Sequence, residues 1–246
     1  DLMLYVIGTP QAQHLQMVFE VCRMAGWLVE PTKAVHVGFG NVLGADRKMM
    51  RSRAGDSVKL ADLLDEAVER AEVAIAEKNP DIGHEERLVV ANMVGIGALK
   101  YSDLSTERIK DYVFDWDRML AFEGNTGPYL QYAHARICSI FRRARIDRAS
   151  VRSEHIILNQ PQERGLAMRL LAYPSAIATT LDSFSPHKLC TYVYELASDF
   201  SSFYQECPIL KSPEPMRTSR LALADFTAQV LEHSLGLLGI TAPEQM

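Results

Sequence analysis

Cysteine is scarce in this 246-residue sequence: there are four cysteines, and no two of them form a CxxC pair. The spacing favours neither a zinc ribbon nor a disulfide scaffold, and it fits a reducing cytoplasm. Long apolar runs are missing too, because the most continuous one, 88–99, contains Asn92 and falls short of the roughly 20 residues that a membrane span needs. We therefore expect a cytoplasmic protein with no membrane partner and no metal site of its own.

Positive charge is in the minority as well. The sequence has 26 lysines and arginines against 31 aspartates and glutamates, which gives a net charge of -5. This balance argues against a protein that coats DNA, so any contact with nucleic acid must come from local patches. Apolar residues make up 48% and charged residues 23%, an ordinary globular composition that excludes disordered, collagenous and coiled-coil classes.

Short apolar runs and helical spacing predict one strand–helix–strand unit at the start of the chain. Residues 2–7 predict a buried strand, 11–25 a helix, and 34–37 a second strand that is parallel to the first. Because the first apolar run follows Asp1 directly, we expect the chain to be a segment of a longer polypeptide.

From residue 60 onward the apolar spacing is helical. It predicts helices at 60–75, 85–101, 128–145, 163–180, 186–205 and 217–238. We therefore expect a mainly α chain with a partial α/β part: the remnant of a Rossmann-type nucleotide-binding domain, followed by an all-α helical bundle.

Polar residues and glycines stand at the ends of both predicted strands, where parallel sheets bind their ligands. Gln11 and His14 follow the first strand, and the second strand leads through His36 to Gly38 and Gly40. Glycines let the backbone approach a flat or phosphorylated ligand, and the histidines and glutamine supply hydrogen bonds. The alternative is an ordinary turn, because these glycines do not fit the GxGxxG pattern.

A basic loop comes next along the chain. Its cations are Arg47, Lys48, Arg51 and Arg53, and Gly55 follows them. Arginine offers several donors in a fixed fork, so a glycine-containing loop of this kind can close over phosphates. The alternative is a solvated surface loop.

The predicted helix 128–145 has two different faces. Tyr129, Tyr132 and Arg136 share one face, which favours the recognition of single-stranded RNA by stacking rings and phosphate-binding arginines. The neighbouring face is apolar and is expected to meet the core; its members are Leu130, Ala133, Ile137, Phe141 and Ala144. The alternative is that the tyrosines are half-buried core residues.

Several motifs, in one order along practically the whole chain, closely resemble the arginyl-tRNA synthetase family. They include YVIGTPQAQH, AVHVGFGNVLG, MMRSRAGDSVKLADLLDEA, DYVFDWDRML, EGNTGPYLQYAHARI and LGLLGITAPEQM. The resemblance implies three segments: the end of a class I catalytic domain at 1–59, a helical connection at 60–122, and an all-α anticodon-binding domain at 123–246.

The resemblance also implies an activity, which is the ATP-dependent attachment of arginine to its tRNA. ATP, accompanied by Mg, arginine and the arginine tRNA are then the expected ligands, and a monomer is the expected form. The family's HIGH motif and its arginine-binding residues lie upstream of this sequence. We therefore expect the isolated segment to lack the activity of the full-length protein.

The family's functional residues map onto positions of this sequence one by one. For ATP binding, the resemblance implies Gln11, His14, His36, Gly38, Phe39 and Gly40. The KMSKS-like loop of the catalytic site corresponds to Arg51, Ser52 and Arg53, with Arg51 in place of the usual lysine. For the anticodon surface it implies Tyr129, Tyr132, Arg136, Tyr204 and Met246, and Gln245 stands where arginine is common.

Two other interpretations stay open at this point. One is a non-catalytic RNA-binding module derived from such an enzyme, which predicts RNA binding without adenylation. The other is a nucleotide-binding oxidoreductase built on the strand–helix–strand unit, which predicts NAD binding. The lack of GxGxxG argues against the second.

Overall fold

A computed structural model describes residues 1–49 and 59–246 and divides the chain into two compact units. The first unit comprises Asp1–Val58 and Thr106–Asp115, and the second comprises Lys59–Ser105 and Trp116–Met246. Where the sequence predicts three consecutive segments, the structure therefore groups most of the helical connection with the C-terminal helices. The functional boundaries at 59 and 122 stay predictions.

The first unit contains the expected parallel strand–helix–strand arrangement. Strand β1 (Leu2–Gly8) is followed by helix α1 (Ala12–Met24) and by strand β2 (Lys33–Phe39). The two strands pair in parallel, with Leu2 opposite Lys33 and Gly8 opposite Phe39. The apolar side of α1 forms a small core in which Leu15 and Phe19 pack against Leu28.

The prediction that residues 2–7 form a buried strand is wrong in one respect. The strand is present, but the side chains of Leu2–Ile7 are 37% to 65% exposed. Among the described residues β1 pairs with β2 alone, and the ring of Tyr5 contacts Phe19 of α1 at a centroid distance of 5.0 Å. A single neighbouring strand and one helix cannot cover both faces of an apolar strand.

A second, very short parallel pair joins the two segments of the first unit. Strand β3 (Val42–Leu43) lies beside strand β4 (Tyr112–Val113). Residues 106–115 thus return to the end of β2, although more than 60 residues of chain separate them from it. No local pattern in the sequence indicates this pairing.

The second unit is helical. Its helices are α2 (Leu60–Lys78), α3 (His84–Ser105), α4 (Trp116–Met119), α5 (Gly127–Ala144), α6 (Pro161–Leu171), α7 (Tyr173–Ser183), α8 (Pro186–Glu206) and α9 (Met216–Leu237). The prediction of one helix at 163–180 is wrong, because the helix is interrupted at Ala172 and two helices, α6 and α7, take its place. Pro174 stands in the first turn of α7, where the missing N–H of proline is tolerated at a helix start but not inside a helix.

A buried ion pair connects α6 to α9. The Arg220 Nε lies 2.7 Å from Glu163 Oε1, and Glu163 Oε2 accepts hydrogen bonds from the backbone N–H groups of Asn159 and Gln160. Burial alone would raise the pKa of Glu163, but these N–H groups and the guanidinium outweigh it and hold that pKa below its ordinary value. Among the described helices, none has the length and apolarity to cross a membrane.

Helices α2 and α3 approach each other closely at Gly95. A Cβ atom built on Gly95 would lie 2.6 Å from the carbonyl oxygen of Ala67, which is nearer than any side chain tolerates. The glycine, an unfavourable residue in a helix, is explained by this backbone contact. The apolar cluster beside it contains Ala71, Ile75 and Val94.

We predict that Gly95→Ala lowers the free energy of unfolding by about 1–3 kcal/mol, because the methyl group must push two helices apart. The measurement is chemical denaturation followed by circular dichroism. Gly165→Ala is the matched control, since nothing lies within 4 Å of a Cβ at this exposed position of α6. The control is expected to be neutral or to stabilise by about 0.5–1 kcal/mol. Equal effects of the two substitutions would contradict the close approach.

Candidate functional site

The predicted nucleotide-binding residues lie at the ends of the parallel strands of the first unit. Gln11 ends a short 3-10 turn and His14 lies in the first turn of α1, and both are exposed. The Phe39 ring at the end of β2 is exposed as well. His36 is partly buried, and its Nε2 lies 2.8 Å from the carbonyl oxygen of Ile7. A carbonyl only accepts, so this Nε2 donates and ties the two strand ends together.

Residues 106–115 hold the same strand end from the other side. The Arg108 Nη1 donates to the Gly38 carbonyl at 2.6 Å, and the Gly40 N–H donates to the Arg108 carbonyl at 2.7 Å. Asp111 accepts from the backbone N–H of Asn41 at 2.6 Å. The sequence does not indicate that residues 106–115 belong to this site, because 70 positions separate Arg108 from Gly38.

The structure gives a different reason for the glycine at position 40. A Cβ atom there would lie 2.5 Å from the carbonyl oxygen of Lys110, so the close approach that requires glycine is one of the chain to itself. The ligand contact predicted for Gly40 is not needed to explain this residue. The exposed Phe39 ring and the polar Gln11 and His14 still leave the edge of the sheet open to a flat ligand.

The basic loop is only partly described. Arg51, Ser52 and Arg53 lie outside the described residues, so their predicted role stays a prediction. At the start of the loop, Asp46 Oδ1 accepts from the backbone N–H of Lys48 at 3.1 Å.

The second group of predicted residues starts on helix α5. The hydroxyl oxygen of Thr126 accepts from the backbone N–H of Tyr129 at 3.2 Å, and Pro128 stands in the first turn, as expected of a helix start. The side chains of Leu130 and Ile137 are fully buried. The apolar face therefore packs as predicted, and the face of Tyr132, which is 42% exposed, remains open.

Two of the predicted residues come together across α5 and α8. The guanidinium carbon of Arg136 lies 4.3 Å from the centre of the Tyr204 ring, a cation–π contact. Two turns earlier on α5, the ring of Tyr129 lies 5.9 Å from that of Tyr194, and its hydroxyl is 3.4 Å from that of Ser201. Tyr129 is thus half-buried between the helices, while Arg136 is held in a fixed orientation.

Two other predicted residues, Tyr132 and Met246, line a cleft of about 370 Å³. The remaining lining residues are Ile75, Lys78, Asn79 and Phe122. The rings of Phe122 and Tyr132 meet edge to face at 6.5 Å and 88°, and the Lys78 Nζ lies 4.8 Å from the centre of the Phe122 ring. We call these six residues the aromatic cleft.

Sequence reasoning missed four members of the aromatic cleft, which are Ile75, Lys78, Asn79 and Phe122. Lys78 and Asn79 stand at the end of α2, and Phe122 precedes the Thr126 cap. All four fall in the segment predicted as a connection rather than as part of the binding domain. The one available signal was the position of Phe122, four residues ahead of the helix cap, beside an otherwise polar stretch.

The aromatic cleft combines the groups that bind an unstacked nucleobase. Tyr132 and Phe122 offer ring faces and edges, Asn79 offers an amide that both donates and accepts, and Lys78 brings a positive charge. Stacking on such rings contributes about 1–3 kcal/mol per base. Among the described residues, no group of three or more histidines, cysteines, aspartates or glutamates is placed to hold a metal ion.

Not every arginine near the end of α5 is available to a ligand. Arg148 and Arg152 both bind the buried Asp225 of α9, at 2.7 Å and 3.3 Å. Removal of one partner from a buried charge is costly, so these two guanidinium groups serve the fold.

A buried histidine lies on α5 below the open face. The His134 Nδ1 is 3.0 Å from the carbonyl oxygen of Pro243, and its Nε2 is 3.8 Å from a carboxylate oxygen of Glu232. Burial lowers the pKa of His134, although the Pro243 carbonyl and Glu232 act in the opposite direction.

Two family models match the chain and together span most of it. The catalytic domain of class I tRNA synthetases, of the arginine type, matches residues 1–116, and the DALR anticodon binding domain matches residues 130–246.

Arginine–tRNA ligases are similar to this chain over its whole length. The one from Thermobifida fusca is 51% identical over 249 residues, which cover 100% of this chain and 42% of the relative. The one from Escherichia coli K12 is 48% identical and is covered to 43%. The chain thus spans about two fifths of the length of the curated relatives it matches.

Solved structures give the same result. The arginyl-tRNA synthetase of Plasmodium falciparum superposes with a TM-score of 0.85 at 30% identity, covering 100% of this chain and 41% of that one. The Thermus thermophilus enzyme gives 0.85 at 33% identity, covering 99% and 41%.

The class of protein that these matches define is the class I aminoacyl-tRNA synthetases. With full coverage of this chain at about half identity, the chain belongs to the arginyl-tRNA synthetase family.

We predict that His134 makes the stability of the protein depend on pH. Its pKa is lowered in the folded state. Below the ordinary histidine pKa of about 6.5, the unfolded chain therefore binds a proton at this residue more readily than the folded chain, which favours unfolding. The thermal midpoint should therefore fall as the pH decreases from about 7.5 to about 5.5, and His134→Gln should make this dependence shallower.

The control for this prediction is His155→Gln, which changes an exposed histidine. It should retain the slope of the wild-type protein. An equally steep slope for His134→Gln would show that other groups carry the pH dependence.

Proposed function

We propose that the chain is the part of an arginine–tRNA ligase that binds the ATP and the anticodon of the tRNA. The observation that carries this proposal is the aromatic cleft, which lies in the unit that contains the match to an anticodon-binding domain. The relatives are more than twice as long as this chain. The substrates and the activity are therefore proposed for a protein of that full length.

Five residues are proposed to contact the anticodon. Tyr132 and Met246 form walls of the aromatic cleft and enclose one unstacked base. Arg136 lies against Tyr204 with its orientation fixed, which suits contact with a phosphate or a base edge beside the cleft. Tyr129 completes this face as a half-buried support that leaves its hydroxyl near Ser201.

The strand ends of the first unit are proposed to hold the adenosine of ATP. The residues involved are Gln11, His14, His36, Gly38, Phe39 and Gly40. The fit is supported by the exposed Phe39 ring, against which an adenine can lie, and by the exposed polar side chains at the carboxyl ends of parallel strands. His36 and Gly40 act by fixing the strand ends. Magnesium accompanies ATP and neutralises its phosphate charge.

Arg51, Ser52 and Arg53 are proposed to bind the ATP phosphates. In the proposed reaction the carboxylate of arginine attacks the α-phosphate of ATP and pyrophosphate leaves. The terminal ribose hydroxyl of the tRNA then attacks the arginyl carbonyl, and AMP leaves with the bonding electron pair. Such catalysis depends on positioning and on charge stabilisation, so we assign no general base. The proposed enzyme is monomeric and cytoplasmic. In it, the end of the catalytic domain is residues 1–59, the helical connection is 60–122, and the anticodon-binding domain is 123–246.

We predict that Tyr132→Ala and Tyr204→Ala each weaken binding of the anticodon stem–loop of an arginine tRNA by about 5-fold to 150-fold, because each removes a ring from the proposed surface. The measurement is fluorescence anisotropy with the labelled stem–loop and with a stem–loop of altered anticodon. Because Tyr132 is exposed, its replacement should leave the thermal midpoint nearly unchanged.

The control is Phe226→Ala, which removes a ring that is 44% exposed on α9, outside the aromatic cleft. It should bind the stem–loop as tightly as the wild-type protein. If the wild-type protein binds both stem–loops equally well, or if Tyr132→Ala and Phe226→Ala have the same effect, anticodon recognition by this face is wrong.

We predict that Arg53→Ala lowers the rate of ATP–pyrophosphate exchange by about 10²- to 10³-fold in a protein of the relatives' full length that contains this chain. The lost group is a preorganised donor to phosphate, so the affinity for tRNA should remain nearly intact. An exchange rate within about twofold of the wild-type rate would contradict the role of Arg53.

A further inference from the structure

The chain after helix α9 forms a tail, residues 239–246, in which only the first two residues make backbone–backbone hydrogen bonds among the described residues. Gly239 takes a left-handed conformation (φ +69°) and ends the helix, and Ile240 still donates to the carbonyl of Leu235. Beyond Ile240, the tail makes no backbone–backbone hydrogen bond among the described residues. Ordering these residues costs conformational entropy, so other contacts must fix the tail.

Side chains from three other elements bind the tail carbonyls one after another. The pairs of donor and carbonyl are Lys100 Nζ and Gly239 (2.5 Å), Gln131 Nε2 and Thr241 (2.7 Å), His134 Nδ1 and Pro243 (3.0 Å), Arg142 Nη1 and Glu244 (2.7 Å), and Asn79 Nδ2 and Met246 (3.4 Å). The donors stand on α3, on α5 and just after α2. Side chains thus bind the carbonyls of five of the eight tail residues and fix the position of the tail against the helices.

Gln131 is the most enclosed of these donors. Its side chain is fully buried, and its Nε2 is shared between the carbonyl of Thr241 and that of Met93 on α3, at 2.7 Å and 3.0 Å. Gly97 leaves the space for it, since a Cβ there would lie 2.8 Å from the Gln131 Nε2. The amide therefore has one position, between α3 and the tail.

Arg142 holds the tail nearer to its end. Its side chain is exposed, and its bond to the Glu244 carbonyl lies two residues before Met246. Neither Arg142 nor Gln131 lines the aromatic cleft. Their hydrogen bonds to the tail connect both side chains to Met246, which does line the cleft.

We infer that Gln131 and Arg142 are positioning residues for RNA recognition, which fix the tail so that Met246 closes the aromatic cleft opposite Tyr132. The inference rests on the proposed function of that cleft. It explains why a buried position of α5 carries an amide. The Gln131 Oε1 is buried without a hydrogen-bond partner, which costs free energy that an apolar side chain at this position would not cost.

A double-mutant cycle tests the inference. Gln131→Met keeps the length of the side chain and removes the donor, and Met246→Ala removes the wall of the cleft. If Gln131 acts through Met246, Gln131→Met weakens binding of the arginine anticodon stem–loop about 3-fold or more in the wild-type background, and by less than about 1.5-fold in the Met246→Ala background. Thermal midpoints are measured on all four proteins at the same time.

Arg142→Met provides a second cycle with Met246→Ala that does not depend on the core, because Arg142 is exposed. The expected result is the same: Arg142→Met weakens stem–loop binding about 3-fold or more in the wild-type background, and by less than about 1.5-fold in the Met246→Ala background. Arg143→Met is the matched control: Arg143 is the exposed neighbour on the same turn and makes none of the hydrogen bonds to the tail. An arginine that touches RNA phosphate directly loses the same factor in both backgrounds.

The outcomes separate the inference from the proposed function. If Met246→Ala and Tyr132→Ala both leave stem–loop binding unchanged, the proposed function of the cleft is wrong. If they weaken binding, but Gln131→Met and Arg142→Met have the same effect with and without Met246, the two residues are not positioning residues and the inference is overturned. If Gln131→Met does not fold, the Arg142 cycle alone decides.

Discussion

Burial of the apolar side of helix α5 fixes the position of the whole candidate RNA-binding face. Leu130, Ile137 and Phe141 lie in the main core together with residues of α8 and α9. Full burial of such side chains is worth about 1.5–3 kcal/mol each, far more than any rotation of the helix can recover through polar contacts. The side of Tyr132 and Arg136 must then face outward, and α8 supplies the ring that holds Arg136.

The sequence was sufficient for helix α5 and for the strand–helix–strand unit, which depend on local periodicity. The 3.6-residue spacing of apolar side chains located α5 and its two faces, and the Thr126 cap with Pro128 located its start within a residue. The strand–helix–strand unit followed from short apolar runs bounded by glycine and proline, and its parallel pairing is confirmed. The family resemblance is confirmed as well, since it depends on motifs that run through the whole chain.

Features that depend on distant contacts could not be read from the sequence. Lys78 stands at the end of α2, and Phe122 packs against the apolar cluster that α2 and α3 form. Both therefore line the aromatic cleft through contacts between distant segments, which no spacing along the chain reveals. Arg108 binds the Gly38 carbonyl for the same reason. The burial expected of Leu2–Ile7 also failed for a non-local reason, because burial of a strand depends on the strands and helices beside it rather than on its own apolar residues.

The most direct test of base binding in the aromatic cleft is NMR of the protein labelled with ¹³C at the methionine methyl groups. Upon titration with the arginine anticodon stem–loop, we predict that the Met246 methyl resonance moves upfield, because the ring current of an entering base shields it. The methyl group of Met168, which belongs to a residue 66% exposed on α6, should stay in place. A Met246 resonance that does not move, or that moves equally with a stem–loop of altered anticodon, would contradict the assignment of the cleft.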